Sequence, residues 1–234
     1  MKANSCMFAI VKSLLGYLFL LSAFCLKAQQ SDARLWLYGK IEKKLGEKWE
    51  GSLLIQNRLS ENMTRYSQIN INPEVTLKVF KPLRLVGGFV QGYSKKNEGY
   101  FLPYRQIYGG IQWRTHFKSF TLIYRHLFQI QTTAGYNRDK ANVWRLYDRN
   151  KLSLRYNLSK RITPYVAGEF NVCVLDPGRQ TGDISRYRTF LGVNYKLTRS
   201  LEWDSYFLFQ ERLSGESAGN RQFVYGLTLV YFLD

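Results

Sequence analysis

Apolar and polar residues alternate along the last part of the chain. In the stretch beginning at Ile184, one row consists of Tyr187, Thr189, Leu191, Val193, Tyr195 and Leu197, and the other contains Arg186, Arg188, Asn194 and Lys196. After a turn at Thr198 and Arg199, a second stretch alternates Leu201, Trp203, Phe207 and Phe209 with Glu202, Asp204, Gln210 and Arg212. A period of two over this length predicts β-strands with one apolar and one polar face.

The same pattern extends upstream and indicates eleven strand segments. They cover residues 35–42, 49–59, 69–79, 83–93, 104–115, 120–131, 144–158, 161–174, 184–197, 201–212 and 222–231. Most are long enough for a tilted membrane strand, which requires roughly 9–11 residues. Short turns near residues 44, 81, 117, 160 and 199 alternate with long loops near 62, 98, 137, 180 and 217.

This arrangement predicts an all-β fold, a single antiparallel up-and-down transmembrane β-barrel over residues 29–234. Outer-membrane barrels have short periplasmic turns, longer outer loops, and strands that turn apolar residues to lipid and polar residues to the lumen. Because bacterial single-chain barrels have even strand numbers, we expect twelve strands, with ten as the next alternative.

The N-terminus has the pattern of a signal peptide over residues 1–28. Lys2 and Lys12 precede a short apolar run, and Ala28 marks a plausible cleavage point. The apolar run is shorter than the roughly 20 residues of a membrane-spanning helix. The sequence therefore predicts export to the bacterial outer membrane, with the barrel-insertion machinery as a partner. Cys173 is the only cysteine after Ala28, so no intrachain disulfide is expected.

Composition agrees with a barrel rather than with a helical membrane protein. The mean hydropathy is −0.30 although 45% of the residues are hydrophobic, which suits a sheet that exposes only alternate residues to lipid. The aromatic fraction of 16% suits aromatic girdles at the two membrane interfaces.

The polar rows contain many charged residues, and the formal net charge is +17. We predict a lumenal charge network formed by Arg114, Arg125, Arg155, Glu169, Arg186, Arg188, Glu202, Asp204 and Arg212. A barrel of this size leaves little open lumen, so packing of carboxylates against arginines is favoured over a wide pore. Nucleic acid is not expected as a partner of an exported chain. Outer-membrane lipid and lipopolysaccharide are the expected partners, because the arginine guanidinium suits phosphate groups.

Catalytic chemistry has little support in the sequence. A hydrolase needs a nucleophile, a base and an orienting group, and the only histidines are His116 and His126. His126 shares a row with Phe120, Leu122, Tyr124, Phe128 and Ile130, which predicts that it faces lipid or an interface. Phe128 stands where lipid A deacylase barrels have a serine. Two isolated histidines make a poor zinc site. We therefore predict no enzyme activity, no metal and no cofactor.

Several segments resemble an uncharacterised outer-membrane β-barrel family known as domain of unknown function 2490. They are Trp36 to Arg58, Asn150 to Tyr156, the Thr163-Pro164-Tyr165 step, and Arg186-Tyr187-Arg188 with Leu191-Gly192-Val193. The resemblance implies export to the outer membrane and a barrel fold. It implies no activity and no catalytic residues.

Three functions remain open from the sequence. The first is a structural or narrow-pore barrel with an Arg-rich lumen. The second is a lipid- or lipopolysaccharide-modifying enzyme, whose activity would depend on His126 or Glu202. The third is a soluble periplasmic barrel that binds an apolar ligand, in which Leu191, Val193, Leu227 and Leu229 would face inward.

Overall fold

The computed structural model describes residues 31–95, 100–133, 143–176, 180–214 and 218–233, and these form an all-β structure. The strands are β1 (Ser31–Lys44), β2 (Trp49–Ser60), β3 (Arg65–Lys78), β4 (Leu83–Lys95), β5 (Phe101–Phe117), β6 (Phe120–Thr133), β7 (Val143–Tyr156), β8 (Ile162–Leu175), β9 (Ile184–Lys196), β10 (Leu201–Arg212) and β11 (Arg221–Leu233). The predicted signal peptide, residues 1–28, lies outside the described residues.

The strands form one closed barrel in which each strand is hydrogen-bonded to its neighbours in sequence, and β1 closes against β11. All ten pairs of consecutive strands are antiparallel. With strand direction alternating at each step, β1 and β11 run in the same direction, so the closing pair is parallel. Closure leaves no free sheet edge.

The prediction of twelve strands, or ten, is wrong, because the described residues contain eleven. The even number was expected from the antiparallel closure of bacterial barrels. Parallel pairing of β1 with β11 removes that requirement. The expected all-β barrel is confirmed, whereas its purely antiparallel closure is not.

Side chains alternate between the two faces of the barrel wall. Leu191, Phe207 and Leu229 lie on the outer face and are 43%, 62% and 48% exposed. Leu208 and Val224, in the other row, are each 2% exposed and lie inside. The apolar row predicted for these strands therefore faces outward, and the inner face combines apolar side chains with charged ones such as Glu169 and Arg188.

The two ends of the barrel differ. One end, the turn rim, carries the connections at residues 45–48, 79–82, 118–119, 157–161 and 197–200 together with the end of β11. The other end, the loop rim, carries the starts of β1 and β11 and the turn at residues 61–64.

The long loop predicted near residue 62 is wrong, because β2 continues to Ser60 and β3 begins at Arg65. The four-residue turn between them has positive φ angles of 52° at Glu61, 56° at Asn62 and 67° at Met63. It is held against the start of β1, where the Met63 amide donates to the Ala33 carbonyl at 3.1 Å.

Tyrosine rings lie over glycines on the inner face. In four cross-strand pairs, one strand contributes an inward tyrosine and its neighbour a glycine: Tyr104 with Gly92, Tyr108 with Gly88, Tyr165 with Gly192, and Tyr206 with Gly226. A Cβ atom added at Gly226 would lie 2.1 Å from the Tyr206 ring, and one at Gly192 would lie 2.5 Å from the Tyr165 ring. The rings therefore occupy the space that a side chain would need, and they fill the interior.

These contacts predict that Gly192→Ala and Gly226→Ala each destabilise the barrel by about 1–3 kcal/mol, the usual cost of overpacking. Urea unfolding of the purified barrel, followed by the mobility of the folded band, measures the loss. Gly39→Ala is the matched control, because nothing lies within 4 Å of its added Cβ atom. Equal stability of all three variants would contradict the ring-on-glycine packing.

Candidate functional site in the barrel interior

The charged residue buried most deeply in the interior is Glu169 on β8, which is 2% exposed. Its two carboxylate oxygens accept separate hydrogen bonds, one from Arg149 on β7 and one from Arg188 on β9, each at 2.7 Å. The strand register places Arg188 directly opposite Glu169. On β7 the register partner of Glu169 is Lys151, and Arg149 lies two residues further along that strand. Two charge-assisted bonds to one carboxylate make a strong contact.

A chain of hydrogen bonds extends from Arg188 toward the loop rim. The Nε atom of Arg188 donates to Gln210 on β10 at 2.6 Å, and Gln210 donates to Gln222 on β11 at 2.5 Å. Gln222 then donates to Asn220 at 2.9 Å. One polar network therefore joins β7, β8, β9, β10 and β11.

Aromatic rings serve as second partners for the interior cations. The Arg58 guanidinium lies 4.2 Å from the centre of the Trp36 ring, and that of Arg188 lies 5.8 Å from it. The Lys151 ammonium lies 4.0 Å from the centre of the Phe190 ring. Such cation–π contacts add stabilisation where cations outnumber the carboxylates near them.

A second network lies on the opposite side of the barrel around Glu74 on β3. Arg125 on β6 donates to the Glu74 carboxylate at 2.5 Å, and the Tyr108 hydroxyl donates to the same oxygen at 2.7 Å. Arg125 was among the residues predicted to form the network. Its partner Glu74 lies across β4 and β5, so the contact crosses the interior rather than following the barrel wall.

Three more predicted residues lie nearer the turn rim. The Asp204 carboxylate accepts a hydrogen bond from the Tyr165 hydroxyl at 3.1 Å, and the Arg155 guanidinium lies 5.3 Å from the centre of that ring. Glu202 accepts from Asn194 at 3.2 Å and lies 3.7 Å from the Lys196 ammonium. These residues form a separate group from the one around Glu169.

Arg114, Arg186 and Arg212 complete the predicted set. Arg186 and Arg212 are register partners on β9 and β10 near the loop rim, whereas Arg114 lies near the turn rim. Within the described residues, the Nε atoms of Arg114 and Arg186 are buried without a hydrogen-bond partner. All nine predicted residues thus lie on the inner face, but among the described contacts they divide into several groups rather than one network.

Arg149, the second partner of Glu169, was not among the predicted residues. The signal was present, since Arg149, Lys151 and Arg155 occupy the same alternating row. Tyr108 and Tyr165, whose hydroxyls donate hydrogen bonds to carboxylates, were not among them either. The aromatic fraction as a whole had been related to girdles at the membrane interfaces, whereas these two tyrosines lie in inward rows.

The two histidines lie apart from these groups. His116 lies at the turn rim, where its Nδ1 atom is 3.0 Å from the Thr121 hydroxyl. His126 lies on the outer face, as its row predicted. Cys173 is buried in an inward row. No group of three or more His, Cys, Asp and Glu side chains within the described ranges could hold a metal ion. Among the same residues, no helix has the length and apolar character needed to cross a membrane.

The fold and its interior define this protein as a closed β-barrel with a packed, arginine-rich inner face. A family model described as "Protein of unknown function (DUF2490)" matches residues 33–219, which is most of the chain. The chain therefore belongs to that family, in agreement with the resemblance found in its sequence. No curated protein matches the chain.

Removing the Glu169 carboxylate should destabilise the barrel strongly, because Arg149 and Arg188 would lose their shared partner. We expect Glu169→Ala to lower the free energy of unfolding by about 3 kcal/mol, measured by urea titration of the folded barrel.

The control is Glu211→Ala, which breaks the pair with Arg221, whose side chain is 54% exposed. That change should cost less than about 1 kcal/mol. A Glu169→Ala variant as stable as Glu211→Ala would show that the interior pair does not hold the barrel together.

Proposed function

We propose that this protein is an outer-membrane β-barrel whose role is structural or that of a narrow pore, with a packed Arg-rich lumen. The observation that carries the proposal is the outer surface. Every one of the eleven strands exposes large apolar side chains there, among them Leu37, Leu53, Ile107, Val166 and Leu229. An exposed apolar surface of this extent is unusual for a protein in water, and lipid is the solvent that suits it.

Aromatic residues at both ends of the outer face support this location. Near the turn rim, Phe80 packs against Trp113 at 5.9 Å between ring centres, and Phe120 against Tyr156 at 5.0 Å. Near the loop rim, Tyr66 packs against Phe101 at 5.9 Å, and Phe209 lies between Tyr187 and Phe223. Aromatic girdles at two interfaces are typical of transmembrane barrels.

The route to this location follows from the N-terminal sequence. The proposal includes a signal peptide over residues 1–28 that is cleaved near Ala28. The exported chain would then use the barrel-insertion machinery and come into contact with outer-membrane lipid and lipopolysaccharide. The turn rim would face the periplasm, since short turns lie on that side of outer-membrane barrels.

The interior supports a structural barrel or a narrow pore over a wide channel. Tyr108, Tyr165 and Tyr206 are each less than 9% exposed, and Glu169 is 2% exposed. The soluble alternative requires Leu191, Val193 and Leu229 inside, yet these side chains are 41–48% exposed on the outer face. No contact described in the interior favours the enzymatic alternative.

We expect the full-length chain, expressed in a Gram-negative host, to fractionate with the outer membrane. Its folded form should migrate differently on a gel before and after boiling, because a closed barrel with paired backbone groups resists detergent until heated. Fractionation and the gel shift are measured on the same preparation, with a periplasmic marker protein as the control. Recovery of the folded protein in the periplasm without detergent would contradict the proposal.

The packed interior predicts little ion conductance in a planar lipid bilayer. The double variant Tyr165→Ala/Tyr206→Ala removes two interior rings and should increase the conductance several-fold, since those rings fill the space over Gly192 and Gly226.

Phe207→Ala is the matched control, because Phe207 neighbours Tyr206 but lies outside. It should leave the conductance at the wild-type value. A large, steady conductance of the wild-type barrel would contradict a packed lumen.

A further inference from the structure

The apolar outer surface is interrupted by three polar side chains at the middle of β6 and β7. They are His126, Asp148 and Asn150. In the strand register His126 lies opposite Asn150, and Asp148 lies opposite the outward Phe128, so all three belong to outward rows. The side chains of His126 and Asp148 are 24% and 25% exposed, and Asn150 is buried beneath its neighbours. We call these three residues the outer polar cluster.

Hydrogen bonds hold the outer polar cluster in one arrangement. The His126 Nδ1 atom lies 3.0 Å from the Asn150 amide oxygen and 3.1 Å from the Asp148 carboxylate. The Asn150 amide nitrogen donates to Asp148 at 3.0 Å, and the Tyr124 hydroxyl donates to the Asn150 amide oxygen at 2.6 Å. Both oxygens near Nδ1 are acceptors, so Nδ1 carries a proton and the Nε2 side of the ring points away from the cluster.

A groove of about 230 Å³ lies beside the cluster on the same face. Tyr124, Asn150, Leu152, Gly168, Phe170 and Tyr187 line it, together with Lys151 and Glu169, which belong to the inward rows. The floor is open at Gly168, because nothing lies within 4 Å of the position that its Cβ atom would take. Asn150 belongs to both the groove and the cluster. An apolar groove and a set of hydrogen-bonding groups therefore meet at one residue.

The position of the cluster along the barrel wall restricts its ligand. On β7, Trp144 lies toward the loop rim and Leu152 and Leu154 toward the turn rim, and these side chains are 58%, 50% and 42% exposed. The cluster thus lies between apolar residues on both sides, at the middle of β6 and β7. In the proposed membrane, phosphate and sugar groups would remain near the girdles. A hydrogen-bonding group at the level of the cluster has to be carried by an acyl chain.

Polar and ionisable side chains that face lipid are costly and rarely occur without a function. We propose that the outer polar cluster and the adjoining groove bind the acyl chain of a membrane lipid that carries a hydroxyl group along the chain. The inference rests on the proposed location in the outer membrane. Methylene groups occupy the groove over Gly168, and the chain hydroxyl exchanges hydrogen bonds with Asp148, Asn150 or the His126 ring. The ester groups of ordinary phospholipids lie nearer the membrane surface and reach the cluster less well.

The test compares two fatty acids, 12-hydroxystearic acid and stearic acid, which differ only in the mid-chain hydroxyl. Each is titrated into the delipidated full-length barrel in non-ionic detergent, and binding is measured by native mass spectrometry. We expect the wild-type barrel to prefer the hydroxylated acid about tenfold, the ratio that one net hydrogen bond provides. The gel shift on heating verifies that each protein is folded.

Two variants separate the cluster from the groove. The triple variant His126→Phe/Asp148→Leu/Asn150→Leu should bind both acids equally, because it keeps an apolar surface and removes the polar groups. Gly168→Phe should weaken binding of both acids, because its ring fills the groove. Gly87→Phe is the matched control, since Gly87 is also an outward glycine with nothing within 4 Å, and it should bind like the wild type.

Equal binding of the two acids by the folded wild-type barrel would overturn the inference, and so would an unchanged preference in the triple variant. A wild-type dimer that the triple variant converts to monomers, with no preference for either acid, would assign the cluster to a contact between copies. Failure of the proposed function would appear separately, as a wild-type barrel that does not fractionate with the outer membrane.

Discussion

Closure of the sheet is the constraint on which the rest of this structure depends. Once β1 pairs with β11, no strand edge remains, and each residue has only two directions available, outward or inward. An up-and-down barrel with eleven strands can close only through a parallel pair. The start of β1 consequently lies at the loop rim and the end of β11 at the turn rim. Position in an alternating row then decides the environment of almost every side chain.

The inner rows collect more cations than the available carboxylates can pair with, and this explains how the interior is packed. Glu169 pairs with both Arg149 and Arg188. Arg188 also donates a hydrogen bond to the side-chain amide of Gln210 and lies near the indole ring of Trp36. Arg58 lies over Trp36 and between two glutamine side chains. Side-chain amides and aromatic rings therefore stabilise the arginine side chains in addition to the carboxylates. The tyrosines over glycines fill the remaining space, so the polar interior is also a dense one.

Much of this architecture could be predicted from period-two alternation alone. The eleven segments and the inward direction of Glu169, Arg188 and Asp204 follow from it, because alternation is a local property of each strand. The predicted strand number is wrong because it followed the general rule that bacterial barrels have even strand numbers instead of the eleven alternating segments in the sequence. The pairing partners of the charged side chains could not be predicted from the sequence, because Glu74 pairs with Arg125 across two intervening strands. Such a contact depends on register and on barrel curvature, neither of which is present in a single strand's sequence.

The outer polar cluster shows where departures from alternation carry information. In β7 the outward row begins with Trp144 and Leu146 and continues after the cluster with Leu152, Leu154 and Tyr156, but Asp148 and Asn150 occupy its middle. His126 interrupts the neighbouring row at the same level. Two adjacent interruptions that hydrogen-bond to each other are not explained by packing, since apolar residues at these positions would suit the proposed membrane location better. Positions that break a pattern followed by the rest of a chain are where function is expected. In this barrel those positions lie on the outer face, so the outer wall rather than the packed lumen is the surface on which a specific ligand should be sought.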